Sequence, residues 1–156
     1  FNSNVLDVVI FGAGHVSQAL CDILNFLNFR VTCVDSRKDW LGKLPSSVKI
    51  VHLESPRDYV EACSPDSFFI SMTMGHAFDL PVLQKIYEHH PEAKYIGVIG
   101  SEVKARVLKN DLLQSGASKT FCDRLHIPIG LPLGSNDPYE IAISICAELL
   151  KERDMK

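Results

Sequence analysis

The chain alternates short apolar runs with stretches whose apolar positions recur every three or four residues. Val8-Val9-Ile10-Phe11 is a continuous apolar run that stops at Gly12, the pattern of a strand covered on both faces, as in a parallel sheet. Val16, Ala19, Leu20, Ile23, Leu24 and Leu27 then lie on one face of a predicted helix, with Asn28 placed to close it. The same alternation predicts strands over 30–35, 48–53, 67–73 and 94–99. Between them it predicts a short helix over Pro56–Cys63, one over Leu80–His90 in which Pro81 fits only the first turn, and one marked by Val103, Val107, Leu108 and Leu112 and closed by Gly116. Asp137-Pro138-Tyr139-Glu140 reads as a helix start, with Asp as N-cap, Pro first and Glu third, ahead of the stripe Ala142, Ile145, Cys146, Leu149 and Leu150. Pro128, Gly130, Pro132 and Gly134 exclude a long regular strand from the segment before it.

Strands alternating with helices define an α/β fold, doubly wound around a mostly parallel sheet in three α/β/α layers. The 156 residues form one domain, 1–156. Ligands of such folds settle beyond the carboxyl ends of the strands, where the strand order reverses. The residues that follow each strand are therefore the ones to read for chemistry.

Composition narrows the function classes. Apolar residues make up 46% and charged residues 22%, which excludes a disordered chain. A net charge of −3 gives neither a nucleic-acid footprint nor a polybasic membrane patch. No apolar run approaches the roughly 18 residues that span a bilayer. Residues 1–6 carry no basic region or small-residue cleavage site, so a cytoplasmic protein without a secretion signal is expected. The chain starts without Met, as a trimmed piece of a longer one would. Cys21, Cys33, Cys63, Cys122 and Cys146 are odd in number, widely spaced and free of any CxxC pair, which suits reduced core thiols. No spacing marks a metal set.

Gly12-Ala13-Gly14-His15-Val16-Ser17 joins the first strand to the first helix. It follows the GxGxxG pattern of dinucleotide sites except at Ser17. Gly12 permits the tight turn, Gly14 lets a pyrophosphate approach the backbone, and the helix N-terminus offers free N–H groups. Asp35 ends the second strand 21 positions after Gly14, where a ribose-binding carboxylate is expected. Arg37 could instead accept a 2′-phosphate, so NAD, NADP or another phosphate-bearing ligand stays open. Thr73 to Asp79 follows the fourth strand. His76 and Asp79 are three apart and are weak acid–base candidates, with Asp79 as a helix N-cap the plainer alternative. Gly100, Ser101, Lys104 and Arg106 follow the fifth strand, where Ser101 can cap a helix and Lys104 can reach a phosphate. The alternative there is a Glu102–Arg106 pair along the helix.

These blocks together resemble the Rossmann-like C-terminal domain of the XdhC/CoxI family, accessory proteins in the maturation of molybdenum hydroxylases such as xanthine dehydrogenase and carbon monoxide dehydrogenase. The resemblance rests on VVIFGAGHVSQAL (8–20), VTCVDSRKDWL (31–41), YIGVIGSEVKAR (95–106) and IPIGLPLGSNDPYEIAISICAEL (127–149). Ser17 stands where the family usually has Gly, and Glu102 where it often has a basic residue. The resemblance implies a factor that holds molybdenum cofactor as cargo while its sulfido ligand is installed. It implies as partners a cysteine desulfurase, the apo-form of the molybdenum hydroxylase and further copies of the chain. By the same analogy Gly12, Gly14, His15, Val16, Asp35, Arg37, Thr73, Gly100, Ser101, Lys104 and Arg106 line the ligand crevice, and Gly130, Pro132 and Gly134 shape its far wall. Two other functions fit the glycine loop. One is an NAD(P)-dependent oxidoreductase, with His76 as proton-transfer group. The other is a nucleotide-sensing regulatory module.

Overall fold

The computed structural model describes residues 5–155; residues 1–4 of the stretch read for a secretion signal lie outside them. Strands β1 (Leu6–Phe11), β2 (Phe29–Asp35), β3 (Lys49–His52), β4 (Phe68–Ser71) and β5 (Tyr95–Val98) form one sheet in the order β3-β2-β1-β4-β5. Every pairing is parallel, with Val8 opposite Val31 on one side and Phe68 on the other. The pleat sends alternate residues to opposite faces. Val8, Ile10, Val31, Cys33, Phe68 and Ile70 pack with Leu20, Leu24, Ile145 and Leu149 in one core. Val9, Phe11, Val34, Phe69, Ile96 and Val98 pack with Leu83, Ile86, Leu108 and Leu112 in the other. Two covered faces are why the central strands are apolar throughout. The switch in strand order falls between β1 and β4.

The helices are α1 (His15–Leu24), α2 (Lys38–Leu41), α3 (His76–His89), α4 (Glu102–Gln114), α5 (Lys119–Asp123) and α6 (Pro138–Asp154), with a 3-10 helix over Pro56–Ala62. α1 and α6 cover one face of the sheet, α3 and α4 the other. No helix among the described residues is long and apolar enough to cross a membrane. The N-cap at Asp137 forms as expected, accepting from the amides of Tyr139 and Glu140 at 3.0 and 3.3 Å. His126, just before the Pro/Gly segment, makes an isolated bridge to Gly97, and the Ile129 amide donates to the Val98 carbonyl at 3.1 Å, which lays the start of the segment along the outer edge of β5.

Several boundaries differ from expectation. α1 stops at Leu24, and the chain turns through residues 25–28 into β2. Leu27 still packs on the core from that turn, so its place in the apolar pattern reflects packing rather than helix. α3 begins at His76, not Leu80, which puts Asp79 inside the helix rather than at its N-cap and makes Pro81 the sixth helical residue. Pro81 has no N–H, so the Ala77 carbonyl lacks its helical partner. The helix keeps this defect where Ala77 and Pro81 face an open cleft. The short helices α2 and α5 carry too few periodic positions to be read from the sequence. All five thiols are unpaired, four buried and Cys63 half-buried. Burial pushes Cys21 and Cys63 up to about 12, so neither is a ready nucleophile.

Candidate ligand-binding cleft

The site grows from the turn after β1. Gly12 has φ +110°, and a Cβ there would lie 2.1 Å from the Met72 carbonyl oxygen, so only glycine allows β1 to run this close to the end of β4. Gly14, the N-cap of α1, has an ordinary φ of −76°. A Cβ on Gly14 would meet nothing within 4 Å, so its outer side is open. Ser17 occupies the third glycine position of the fingerprint. It is buried, and its hydroxyl donates to the Gly12 carbonyl at 2.5 Å, binding helix to turn where a glycine would merely have let them approach. Among the described residues the amides of Gly14, His15 and Val16 have no acceptor in the chain. They are the unsatisfied donors of a helix start and carry its positive end.

A cleft of about 200 Å³ opens beside this turn, at the switch point between β1 and β4. One wall is polar: Ser36 and Arg37 after β2, and Glu54, Ser55 and Arg57 after β3. The other is mainly apolar: Met74, Ala77, Phe78, Pro81 and Val82 on and before α3, with Gly12 and Thr73 at the floor. Met74 and Phe78 are more than half exposed, so the apolar wall is free to receive a ring. The volume is below the roughly 300–1,000 Å³ of typical small-molecule sites, so the cleft has room for only part of a ligand of that size.

Asp35 does not stand free at this wall. Its Oδ2 accepts from the Ala13 amide at 2.7 Å and from Arg37 Nη2 at 2.8 Å. Its Oδ1 accepts from the Arg37 amide at 2.8 Å and from Arg37 Nε at 3.1 Å. A carboxylate has about four lone-pair sites, and all are filled. Burial pushes this carboxyl up, but the bonds from Arg37 and the two amides outweigh it and hold it below the usual carboxylate range. Arg37 is fixed in turn, 4.9 Å over the Trp40 ring, whose other neighbours are Lys43 and the edge of His15. The cleft therefore meets a guanidinium at the end of β2, not the acceptor that a ribose diol requires.

Of the residues expected in the crevice, Gly12, Asp35, Arg37 and Thr73 line the cleft. Gly14, His15 and Val16 adjoin it through the turn, with the Val16 side chain packed on the core. The others lie outside the lining. Lys104 does not reach for an anion: its Nζ is 2.5 Å from Asp79 Oδ2 and donates to the Ile99 carbonyl at 2.7 Å. Ser101 caps α4 by accepting from the Lys104 amide. Gly100 lies against the Lys104 side chain, and Arg106 is exposed on α4 with no Glu102 pair among the described residues. Gly130, Pro132 and Gly134 belong to the junction with α6. Gly130 sits on Ser144 and donates to Glu148 at 3.1 Å, Gly134 lies against Glu140, and Pro132 is exposed.

His76 and Asp79 do not form a pair. His76 Nε2 lies 2.9 Å from Asp111 of α4. Asp79, fully buried, accepts from the Ser71 and Thr73 hydroxyls at 2.6 Å each and faces Lys104. This polar network ties the ends of β4 and β5 to α3 and α4 beneath the cleft. Neither residue lines it. In the sequence, Pro56 and Arg57 mark only the start of a short helix and nothing in Glu54–Arg57 marks a site, although the strand-end rule that singles out the other loops applies equally after β3.

A parallel sheet with a glycine turn, free helix amides and a cleft at its switch point defines a Rossmann-type domain. The chain belongs to the XdhC family: residues 8–149 match the XdhC Rossmann domain. It is 32% identical over 151 residues to the uncharacterized protein YqeB of Escherichia coli K12, covering 94% of this chain and 27% of that one. A crystal structure described as a xanthine dehydrogenase from Bacillus halodurans superposes with a TM-score of 0.83 at 29% identity, over 99% of this chain and 44% of the other. The GsuK channel bound to NAD shares the fold at TM-score 0.56 and 13% identity, over 81% of this chain and 22% of that one. The chain thus spans less than half the length of the first two of these relatives.

Proposed function

We propose that this domain is the ligand-binding part of an accessory factor for a molybdenum hydroxylase of the xanthine dehydrogenase type, and that molybdenum cofactor is its cargo. One observation carries the assignment: the open side of Gly14 and the three unpaired amides of α1 stand beside a cleft with one apolar and one polar wall. A helix start of this kind grips phosphate whatever the rest of the ligand is. The apolar wall suits a planar ring such as a pterin. Family membership and the Bacillus halodurans relative support the link to xanthine dehydrogenase. The domain acts in the cytoplasm with copies of itself, a cysteine desulfurase and the apo-hydroxylase.

The oxidoreductase alternative is weaker, because its one proton-transfer candidate, His76, is engaged with Asp111 outside the cleft. Anaerobic titration of the protein with molybdenum cofactor is the test. Saturable binding is expected. If the protein ignores the cofactor yet binds NAD or NADP tightly, the assignment to cofactor maturation is wrong.

A further inference from the structure

We propose that the outward face of α6 is the surface on which two copies of the chain pair, with their α6 helices antiparallel about a twofold axis near Ala147. The assignment rests on the reading that the domain works with copies of itself and adds which face they share. Residues three and four apart lie on one side of a helix. On α6, Ala142, Ile145, Cys146 and Leu149 form the side buried on the sheet. The opposite side of a helix that faces water is ordinarily polar. Here it carries Tyr139, Ile143, Ala147 and Leu150, and Tyr139 and Ile143 are 51% and 50% exposed. The Tyr139 hydroxyl donates to Asp22 of α1 at 2.6 Å, which joins this strip to the neighbouring helix. Phe26 stands four residues after Asp22, in the turn that ends α1, and is 86% exposed. Single exposed apolar side chains are ordinary, whereas a connected row of them marks an interaction surface.

The charges beside the strip select the occupant. Glu140 and Lys151 are about three helical turns apart on the same flank of the strip. Both are exposed, and neither has an ion-pair partner among the described residues. Two α6 helices laid parallel would set Glu140 against Glu140 and Lys151 against Lys151. Laid antiparallel, Glu140 of each copy meets Lys151 of the other, and the twofold axis makes the contact twice. At that register Ile143 meets the stretch from Ala147 to Leu150 of the other copy, and the small Ala147 side chains let the helices approach. Asp154, the remaining carboxylate on this side, is held by Arg153 of its own chain at 2.9 Å. The face is thus complementary to itself. A contact one helix wide falls at the small end of specific interfaces, below about 1,200 Å² in total, so the pairing depends on concentration.

The test is sedimentation of the chain from about 1 μM to about 1 mM. The mass is expected to rise from 17.4 kDa to twice that value. Ile143→Asp, at an exposed position, should weaken the pairing at least about tenfold and leave the melting temperature of the fold unchanged. Glu140→Lys and Lys151→Glu should each weaken it alone. An equimolar mixture of those two variants should pair again, because the flank of each then meets opposite charge on the other. Should Glu140→Lys fail to fold through loss of its bond from the Ser135 amide, Ile143→Asp and Lys151→Glu decide the matter by themselves. A monomer at every concentration overturns both this face and the reading that the domain works with copies of itself. A dimer that withstands Ile143→Asp overturns the face and leaves self-association through another surface. A dimer lost in Ile143→Asp and not regained by the mixture overturns the antiparallel pairing. No α6 residue lines the cleft, so a dimer with these properties that ignores molybdenum cofactor upholds the face and overturns only the cargo.

Discussion

Gly12 and Gly14 stand two residues apart in one turn, and the structure gives them opposite reasons to be glycine. A methyl group on Gly12 would sit 2.1 Å from the oxygen and 2.6 Å from the carbon of the Met72 carbonyl, both backbone atoms. Met72 cannot yield, because its own amide donates to the Phe11 carbonyl at 2.8 Å. Leaving the allowed backbone region costs about 1–2 kcal/mol, and overpacking against a fixed neighbour costs about 1–3 kcal/mol more. Gly12→Ala is therefore expected to lose about 2–5 kcal/mol, a large part of the ~5–15 kcal/mol that holds a domain together. At ~2–4 °C per kcal/mol for a domain of this size, the melting temperature falls by roughly 10 °C. Gly14→Ala meets open space at an ordinary φ. Its gain of about 0.4–1 kcal/mol from a stiffer unfolded chain is offset by the poorer N-cap, roughly 0.5–1 kcal/mol, so it should melt within ~2 °C of the parent. Its methyl group nevertheless occupies the place where an anion meets the α1 amides, and anaerobic titration should show cofactor binding weakened at least about tenfold. Differential scanning fluorimetry and titration of the two variants settle the matter. An unchanged melting point for Gly12→Ala would refute the steric argument, and undiminished cofactor binding by Gly14→Ala would refute the amide cradle.

Two further predictions concern buried charge. Lys104→Ala leaves Asp79 fully buried without its cation, and breaking such a pair costs about 3–5 kcal/mol. Urea denaturation should show that loss, with Asp79→Asn in the same chain restoring part of it; a cost below ~1 kcal/mol for the single variant would mean the pair does not hold α3 to α4. Asp35 and Glu148 both have carboxyls held below their usual range. For Asp35 the Arg37 and amide bonds outweigh burial, and for Glu148 the bonds from His126, Tyr95 and the Gly130 amide do so. A depressed folded value means the stabilisation is present above the unfolded carboxylate range and is lost as pH falls below it. Melting temperature should therefore be flat from neutrality to about pH 5 and drop below about pH 4. Glu148→Gln should show a shallower drop, and an identical acid limb would argue against this account.

The sheet was legible because its strands are covered on both faces. Continuous apolar runs such as Val8 to Phe11 and Phe68 to Ile70 can satisfy their packing in few other ways. The turn at Gly12 was equally plain, since a glycine between an apolar run and a helical stripe marks a conformation that other residues resist. The termini of α1 and α3 were not legible. Leu27 keeps helical spacing while packing from a turn, and Pro81 sits where sequence rules would forbid it because solvent at the cleft tolerates the unpaired Ala77 carbonyl. The site was read in part for a different reason. Spacing places Asp35 and Arg37 at the mouth, but it does not say that they would bond each other, nor that Lys104 would turn toward Asp79. Such pairings depend on which side chains share a buried volume, and that is set by the packing of α3 against α4.

The arrangement at the margins of the sheet limits the edge that another chain could extend. A strand at the rim offers a row of unpaired amides and carbonyls that another chain can extend. On the β5 side the segment around His126 takes up that row, with its amide on the Ile96 carbonyl and the Val98 amide on its own carbonyl. That leaves β3 as the open rim. It is only four residues long and begins with Lys49, whose ammonium lies over the Tyr59 ring. So short a ladder, with a fixed cation at its head, is a poor template for a second molecule. Neither border therefore presents a long bare ladder of amides and carbonyls.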